Sequence, residues 1–432
     1  MEKIKVAFYH HNASFPNVDC RNLDEGNPGI GGSEYALLTV SQGLFFRQNN
    51  LDVTIYAQVV NELLPKMSYT QVDNLLEAIY LAEKEGIQIL IFRHGVYPDL
   101  LKIINAVQSQ LQLIVWCQNF VSIRDLRLYT NSECVKRLIC VGREQLDLYR
   151  DHKAFLKSDY IYNAVPANLI NSVKALIIPF NERKPIVTYV GSLVPAKSFD
   201  VLAKAWPRVL KEIPDAELHV IGSGKLYNRN ARLGKFGIAE ESYENSFIKY
   251  ITKNGSLIPS VKFHGILGAD KINILCRTKV GVPNPTGYSE TYGFTAVEMQ
   301  MSGALITTQR CPGYLDTAFT NSILYKNDSK LAESIIKLLK RKDNNYPEML
   351  NFVEQTFSLE HIILEWEELL QIRIWSGERL HPTNIKNPFF EMKWLKEILR
   401  KTKKRFPLGY KLIPSCLYVR RILVKFRLKA DL

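Results

Sequence analysis

A chain of 432 residues is too long for one ordinary domain, and its 46% hydrophobic and 23% charged residues supply real cores and exclude global disorder. The net charge of +13 is uneven: residues 391–432 hold 13 Lys or Arg against 3 acids, whereas residues 1–390 hold 43 against 40. A body so close to neutral weighs against reading the whole fold as a nucleic-acid binder.

From the first residues onward, short β-branched or aromatic runs alternate with helical patterns. Met1 leads directly into the strand-like IKVAFYH (4–10), so no signal peptide is expected there. The glycine cluster Gly29-Ile-Gly31-Gly32-Ser33-Glu34 then opens an amphipathic helix. Backbone amides at such a loop approach a phosphate closely, although Ser33 is equally suited to be a plain helix N-cap. Further strands are expected at 52–57, 87–93, 111–117 and 138–142, and a segment ending a strand at 161–165 closes the first half. Residues 166–184 form the junction. The second half repeats the alternation with strands at 185–191, 217–222, 261–265, 279–284 and 304–308. Strands that are nearly all apolar, separated by helices, indicate parallel sheets covered on both faces, and so many indicate two doubly wound sheets.

The predicted organisation is therefore a first Rossmann-like domain over 1–170, a second over 185–357, a closing helix over 358–376 and a basic tail over 377–432. The closing helix shows apolar residues at Ile362, Ile363, Trp366, Leu369, Leu370 and Ile374. In the tail, KWLKEILRKTKKRF (393–406) places Trp394, Leu395, Ile398, Leu399 and Phe406 broadly on one side with Lys and Arg elsewhere. That is the composition of a helix lying in an anionic membrane surface, or of one packed on the body with its charges in water. No run of about 18 apolar residues is present to span a membrane. Seven cysteines without a C-x-x-C pair predict reduced thiols and a cytoplasmic chain.

Three segments could carry chemistry. Glu290-Thr-Tyr-Gly-Phe-Thr-Ala-Val-Glu298 follows a strand and opens a helix, so its first amides, near Gly293, Phe294 and Thr295, face the crevice where open α/β sheets bind ligands. Two carboxylates flanking an anion site suit a nucleotide-sugar, one accepting from sugar hydroxyls and the other from ribose. The plainer alternative makes Glu290 a first-turn acid and Glu298 a solvated one. Gly191-Ser192, with Lys197 downstream, occupies a strand-to-helix loop where a cation would meet a diphosphate, and Gly222 ends the next strand in the same manner.

In their order along the chain, GGSE (31–34), Asn163-Ala-Val, GSLVPAKSFDVLAKAW, the stretch from Pro214 to Gly224, VKFHG (261–265) and E-x7-E (290–298) resemble glycosyltransferase family 4. The resemblance covers most of residues 1–330. It implies an α/β GT-B fold, with two Rossmann-like domains facing a cleft, and retaining transfer from a nucleotide-sugar donor without a metal or cofactor. By that likeness Glu290 contacts the donor sugar, Glu298 the ribose, Lys197 the diphosphate, and Gly31 and Gly32 the phosphate from across the cleft. Gly191, Ser192, Gly222, Gly293, Phe294 and Thr295 complete the donor site, with the base near Phe263, Gly265 and Ile266. Two departures stand out. Ser192 replaces the Arg usual in the family, and Gln118 replaces a His near the reaction centre, leaving His94 as the substitute candidate. Implied partners are a nucleotide-sugar donor, a glycan or lipid-linked glycan acceptor and, through 391–432, an anionic membrane surface at its inner face, with no nucleic acid. The departures leave open a weakened donor-binding scaffold or sensor. A phosphorylase or epimerase of the same fold is the third reading.

Overall fold

The computed structural model describes residues 3–418, apart from 14–17, 48–49, 60–66, 109, 227–229, 289 and 407. The first half builds one parallel sheet from β1 (Ile4–His10), β2 (Leu51–Ala57), β3 (Ser68–Gln71), β4 (Ile89–Arg93), β5 (Gln112–Cys117), β6 (Val135–Cys140) and β7 (Ser158–Tyr160). Its spatial order is β3-β2-β1-β4-β5-β6-β7. The second half contributes β8 (Ile186–Val190), β9 (Glu217–Ile221), a small antiparallel hairpin of β10 (Thr252–Lys253) and β11 (Ser256–Leu257), then β12 (Val261–Gly265), β13 (Val280–Gly281), β14 (Leu305–Gln309) and β15 (Ile323–Tyr325). Its sheet runs β12-β9-β8-β13-β14-β15, again with parallel neighbours.

The apolar strands follow from helices on both faces. In β1, Val6 and Phe8 enter one core while Ala7 and Tyr9 enter the other, the period of two that a strand imposes. The strand expected at 161–165 ends earlier, at Tyr160. Val165 instead exchanges backbone hydrogen bonds with the entry to helix Leu359–Glu368, donating to the Phe357 carbonyl at 2.7 Å and accepting from Leu359 N–H at 2.9 Å. The strand expected at 279–284 is only two residues long. Pro283 and Pro285 follow it, and prolines have no N–H to continue a ladder. The short β3 and β15 were not anticipated, and the junction holds a helix, Ala167–Leu176.

The chain then crosses back. Helix Leu359–Glu368 packs on the first half, where buried Trp366 lies edge-on to Trp116 at 4.7 Å and to Phe8 at 6.4 Å between ring centroids. The tail follows it there, but rolled opposite to the packed alternative, in which the charges would have faced water. In helix Lys393–Arg405 the buried side chains are Lys393, Lys396 and Lys403, whereas Trp394 and Ile398 are exposed. Lys393 Nζ pairs with Glu144 at 2.6 Å and Asp147 at 2.9 Å, Lys403 pairs with Asp151 at 3.1 Å, and Arg150 joins Glu397 at 3.0 Å. The cause is electrostatic. Glu144, Asp147 and Asp151 are buried on the first half, a buried carboxylate requires a counter-charge, and the tail lysines supply it. The second basic stretch of the tail lies mostly outside the described residues. Among the described residues, no helix is long and apolar enough to cross a membrane.

Candidate active site

In each sheet the strand order reverses once, beside β1 and β4 in the first and beside β8 and β13 in the second. Loops leaving the carboxyl ends of parallel strands part at such points and open a crevice. Here the two crevices share one cleft of about 420 Å³, lined by both halves.

Three cation–carboxylate pairs line it. From the second half, Lys197 binds Glu290 and Lys271 Nζ meets Glu298 Oε1 at 2.8 Å. From the first half, Arg93 meets Glu34 Oε1 at 2.7 Å and donates to Ser33 Oγ at 2.7 Å. Glu290 also accepts from Asn284 Nδ2 at 3.2 Å, whose amide is itself fixed by the Ala196 and Tyr288 carbonyls. The three carboxylates balance the three cations, so the cleft walls carry fixed charge pairs of both signs.

Backbone geometry completes the wall. Gly293 caps helix Phe294–Met301 at φ +85°, and a Cβ there would sit 2.5 Å from the Tyr314 ring. Glycine thus lets the chain turn into the helix with its first amides open to the cleft. Gly222, at φ +138°, lies so close to Gly191 that a Cβ would overlap the Gly191 carbonyl at 1.8 Å. This contact brings the loops after β8 and β9 together at the floor.

Of the predicted residues, Gly31, Gly32, Gln118, Gly191, Ser192, Lys197, Gly222, Ile266, Glu290, Gly293, Phe294, Thr295 and Glu298 line the cleft. Phe263, Gly265 and His94 do not. Phe263 turns into the second-half core against Phe199, because the β12 register shifts between Phe263 and Gly265 and leaves Ile266 as the cleft residue. His94 is buried with Nδ1 3.1 Å from the Tyr129 hydroxyl, and burial lowers its pKa. Gln118 reaches the wall, but its amide is paired reciprocally with that of Asn163 at 2.7 and 3.1 Å. Ser192 directs its hydroxyl to the Ser223 carbonyl at 3.3 Å and brings no charge. Ser33 is no N-cap: Gly31 takes that position, and the serine lies inside the helix holding Arg93. Arg93, Lys271 and Asn284 were missed. For Arg93 the signal available was its place at a strand's carboxyl end, one residue before the His94 that drew attention instead.

Between the two halves, Thr291 donates to the Gln118 carbonyl at 2.6 Å and Tyr292 to the Asn163 carbonyl at 2.8 Å. Beside them Asp316, buried, accepts from Glu144 N–H at 2.7 Å and from the Tyr162 hydroxyl at 3.2 Å. Burial, with the Glu144 charge beside it, pushes the Asp316 carboxyl up to about 6. A folded-state value above the ordinary 3.8 means that protonation favours the folded form. The gain is full below the ordinary value and lost as pH rises through about 6. The melting temperature of the wild type, relative to Asp316→Asn, should therefore climb between about pH 7 and pH 4.5. A difference that stays flat or falls would show that this carboxyl is not raised. Among the described residues, no group of three or more His, Cys, Asp or Glu side chains converges as metal ligands would.

Residues 176–355 match the family model for glycosyl transferases group 1. Over 163 residues the chain is 28% identical to a GDP-mannose-dependent monoacylated alpha-(1-6)-phosphatidylinositol monomannoside mannosyltransferase of Corynebacterium glutamicum. That match takes in 37% of this chain and 39% of the relative, so the chain spans about two fifths of the length of the curated relative it matches. Among solved structures it superimposes on Anabaena Alr3699/HepE, determined with UDP and glucose, at a TM-score of 0.58 and 14% identity, covering 85% of this chain and 99% of that one. AviGT4, a glycosyltransferase involved in avilamycin A biosynthesis, aligns at a TM-score of 0.55 and 12% identity over 87% of this chain and 99% of its own. These structural likenesses establish the fold. The chain thus has the GT-B fold, and its residues 176–355 are similar to the glycosyl transferases group 1.

Proposed function

We propose that this chain is a nucleotide-sugar-dependent glycosyltransferase that binds its donor in the cleft between the two halves. The observation that carries the reading is the meeting of Lys197–Glu290, Lys271–Glu298 and Arg93–Glu34 beside the amides of Phe294 and Thr295. Lys197 and the helix terminus receive the diphosphate, Glu290 accepts from hydroxyls of the sugar, and Glu298, oriented by Lys271, accepts from the ribose. Transfer proceeds with retention and without a metal. It relies on stabilising the leaving diphosphate, the group on which charge develops, more than on a strong protein base. Arg93 reaches the same cleft from the opposite wall, and it offers the second cation that Ser192 does not. The acceptor is a glycan, or a glycan carried on a lipid, met in the cytoplasm at the inner face of a membrane.

The Gln118–Asn163 pairing favours one other reading: with its amide already engaged, Gln118 contributes little to catalysis, and the chain acts as a donor-binding scaffold or sensor. Thermal melting with nucleoside diphosphates and nucleotide-sugars, GDP-mannose and UDP-glucose first, separates the possibilities. A ligand present at about 100 times its Kd stabilises by about 2.7 kcal/mol, and Glu298→Ala should abolish most of that gain. Stabilisation with donor turnover supports the enzyme. Stabilisation without turnover supports the scaffold, and no response to any nucleotide removes the donor site.

A further inference from the structure

We infer that helix Lys393–Arg405, with the apolar residues at its two ends, is the surface by which the chain docks onto an anionic lipid bilayer. This deepens the membrane location proposed above and is independent of the donor chemistry. An ordinary amphipathic helix packed on a protein buries its apolar stripe and shows its charges to water. This one is rolled the other way. Lys393 and Lys403 are held inside by Glu144, Asp147 and Asp151, and Arg150 grips Glu397. These buried ion pairs fix the roll and leave Trp394, Ile398, Lys401 and Arg405 outward, at spacings of one helical face.

Exposed apolar residues also flank the helix in the chain. Before it, Phe389 is 83% exposed and Met392 also faces solvent; after it, Phe406, Leu408 and Leu412 do so, the last at 74%. Single exposed apolar residues are ordinary, but a run of this density in so short a segment marks an interaction site. Its charge identifies the partner. Lys386, Lys401, Lys404, Arg405 and Lys411 are exposed, whereas the acids among described residues 386–418 are the half-buried Glu391 and the ion-paired Glu397. Beyond residue 418 the sequence adds Arg420, Arg421, Lys425, Arg427 and Lys429 against a single acid. A protein partner's interface core is depleted in lysine, whereas a mixture of Trp, aliphatic side chains, Lys and Arg is what the headgroup region of an anionic bilayer accepts. Because the helix is clamped to the first half, docking ties that wall of the cleft to the lipid surface.

The test is co-sedimentation of the full chain with vesicles of phosphatidylcholine alone and of phosphatidylcholine with phosphatidylglycerol, at low and high salt. The wild type should bind anionic vesicles at least about tenfold better than neutral ones, and salt should weaken binding. The double variant Trp394→Ala/Ile398→Ala should lose on the order of tenfold. Both side chains are about half exposed and lie outside the buried ion pairs, so its melting temperature should stay close to that of the wild type, which controls for misfolding. A variant that binds as well as the wild type overturns this surface while leaving the membrane location standing. A wild type that ignores anionic vesicles at low salt overturns both. Dimerisation without lipid, lost in the variant, assigns the face to a second copy and overturns the inference. Nucleotide stabilisation measured on the same protein reports the cleft separately.

Discussion

Glu290→Ala is expected to lower kcat/KM for sugar transfer on the order of 10²–10³-fold, the scale of losing one preorganised polar group at a reacting centre. The carboxylate is held by two donors, Lys197 Nζ and Asn284 Nδ2, in a loop pinned by the Asn284 contacts to Ala196 and Tyr288. On the proposed reading, removing it deletes the acceptor for the donor's hydroxyls, and it also releases Lys197 from its position. Lys197→Ala should cost a similar factor for the complementary reason. If the two side chains work as a unit, the double variant falls little below either single one, since groups acting together are strongly non-additive. Steady-state kinetics on the four proteins decide this, with the donor identified by thermal melting. Losses that multiply would mean two independent roles, and a Glu290→Ala variant within a factor of about three of the wild type would remove this carboxylate from the reaction.

The other large effect concerns stability. Lys403→Ala should cost about 3–5 kcal/mol, because it leaves the Asp151 carboxylate buried with its cation gone. Asp151 would keep two partners, the Ser415 hydroxyl at 2.9 Å and Cys416 N–H at 2.8 Å, neither of which carries a charge. The double change Lys403→Met/Asp151→Asn should recover much of the loss, since replacing a buried pair costs far less than breaking it. Denaturant unfolding, read on the first transition, tests both. A single variant within about 1 kcal/mol of the wild type would mean that water reaches Asp151 once the lysine is removed.

What could be read from the chain in advance shares one physical property: it is local. Strands buried on both faces must be apolar over consecutive residues, so alternation with helices announces two doubly wound sheets. Likewise Glu290, Glu298 and the amides between them lie within nine consecutive residues of one loop and helix, and their joint arrival at a strand end requires only helical geometry. Gly31, Gly32, Gly191, Gly222 and Lys197 belong to the same class, each at or near a turn that leaves a strand or opens a helix.

The remainder was decided by contacts between distant segments, which no local pattern encodes. His94 sits at the correct strand end, but Tyr129, contributed by another helix, captures its ring. Phe263 and Ile266 looked equivalent until the β12 register shift sent the first into the core and the second into the cleft. Arg93 and Lys271 became cleft cations only because Glu34 and Glu298 stand opposite them. The tail is the clearest case. Its sequence alone indicated a basic amphipathic helix at residues 393–406, with apolar and charged residues segregated by helical period. Which side turns inward depended on Glu144 and Asp151, about 250 residues earlier in the chain. The electrostatic demand of those buried carboxylates outweighs the burial of one tryptophan and one isoleucine, and only the assembled tertiary structure places them beneath the helix.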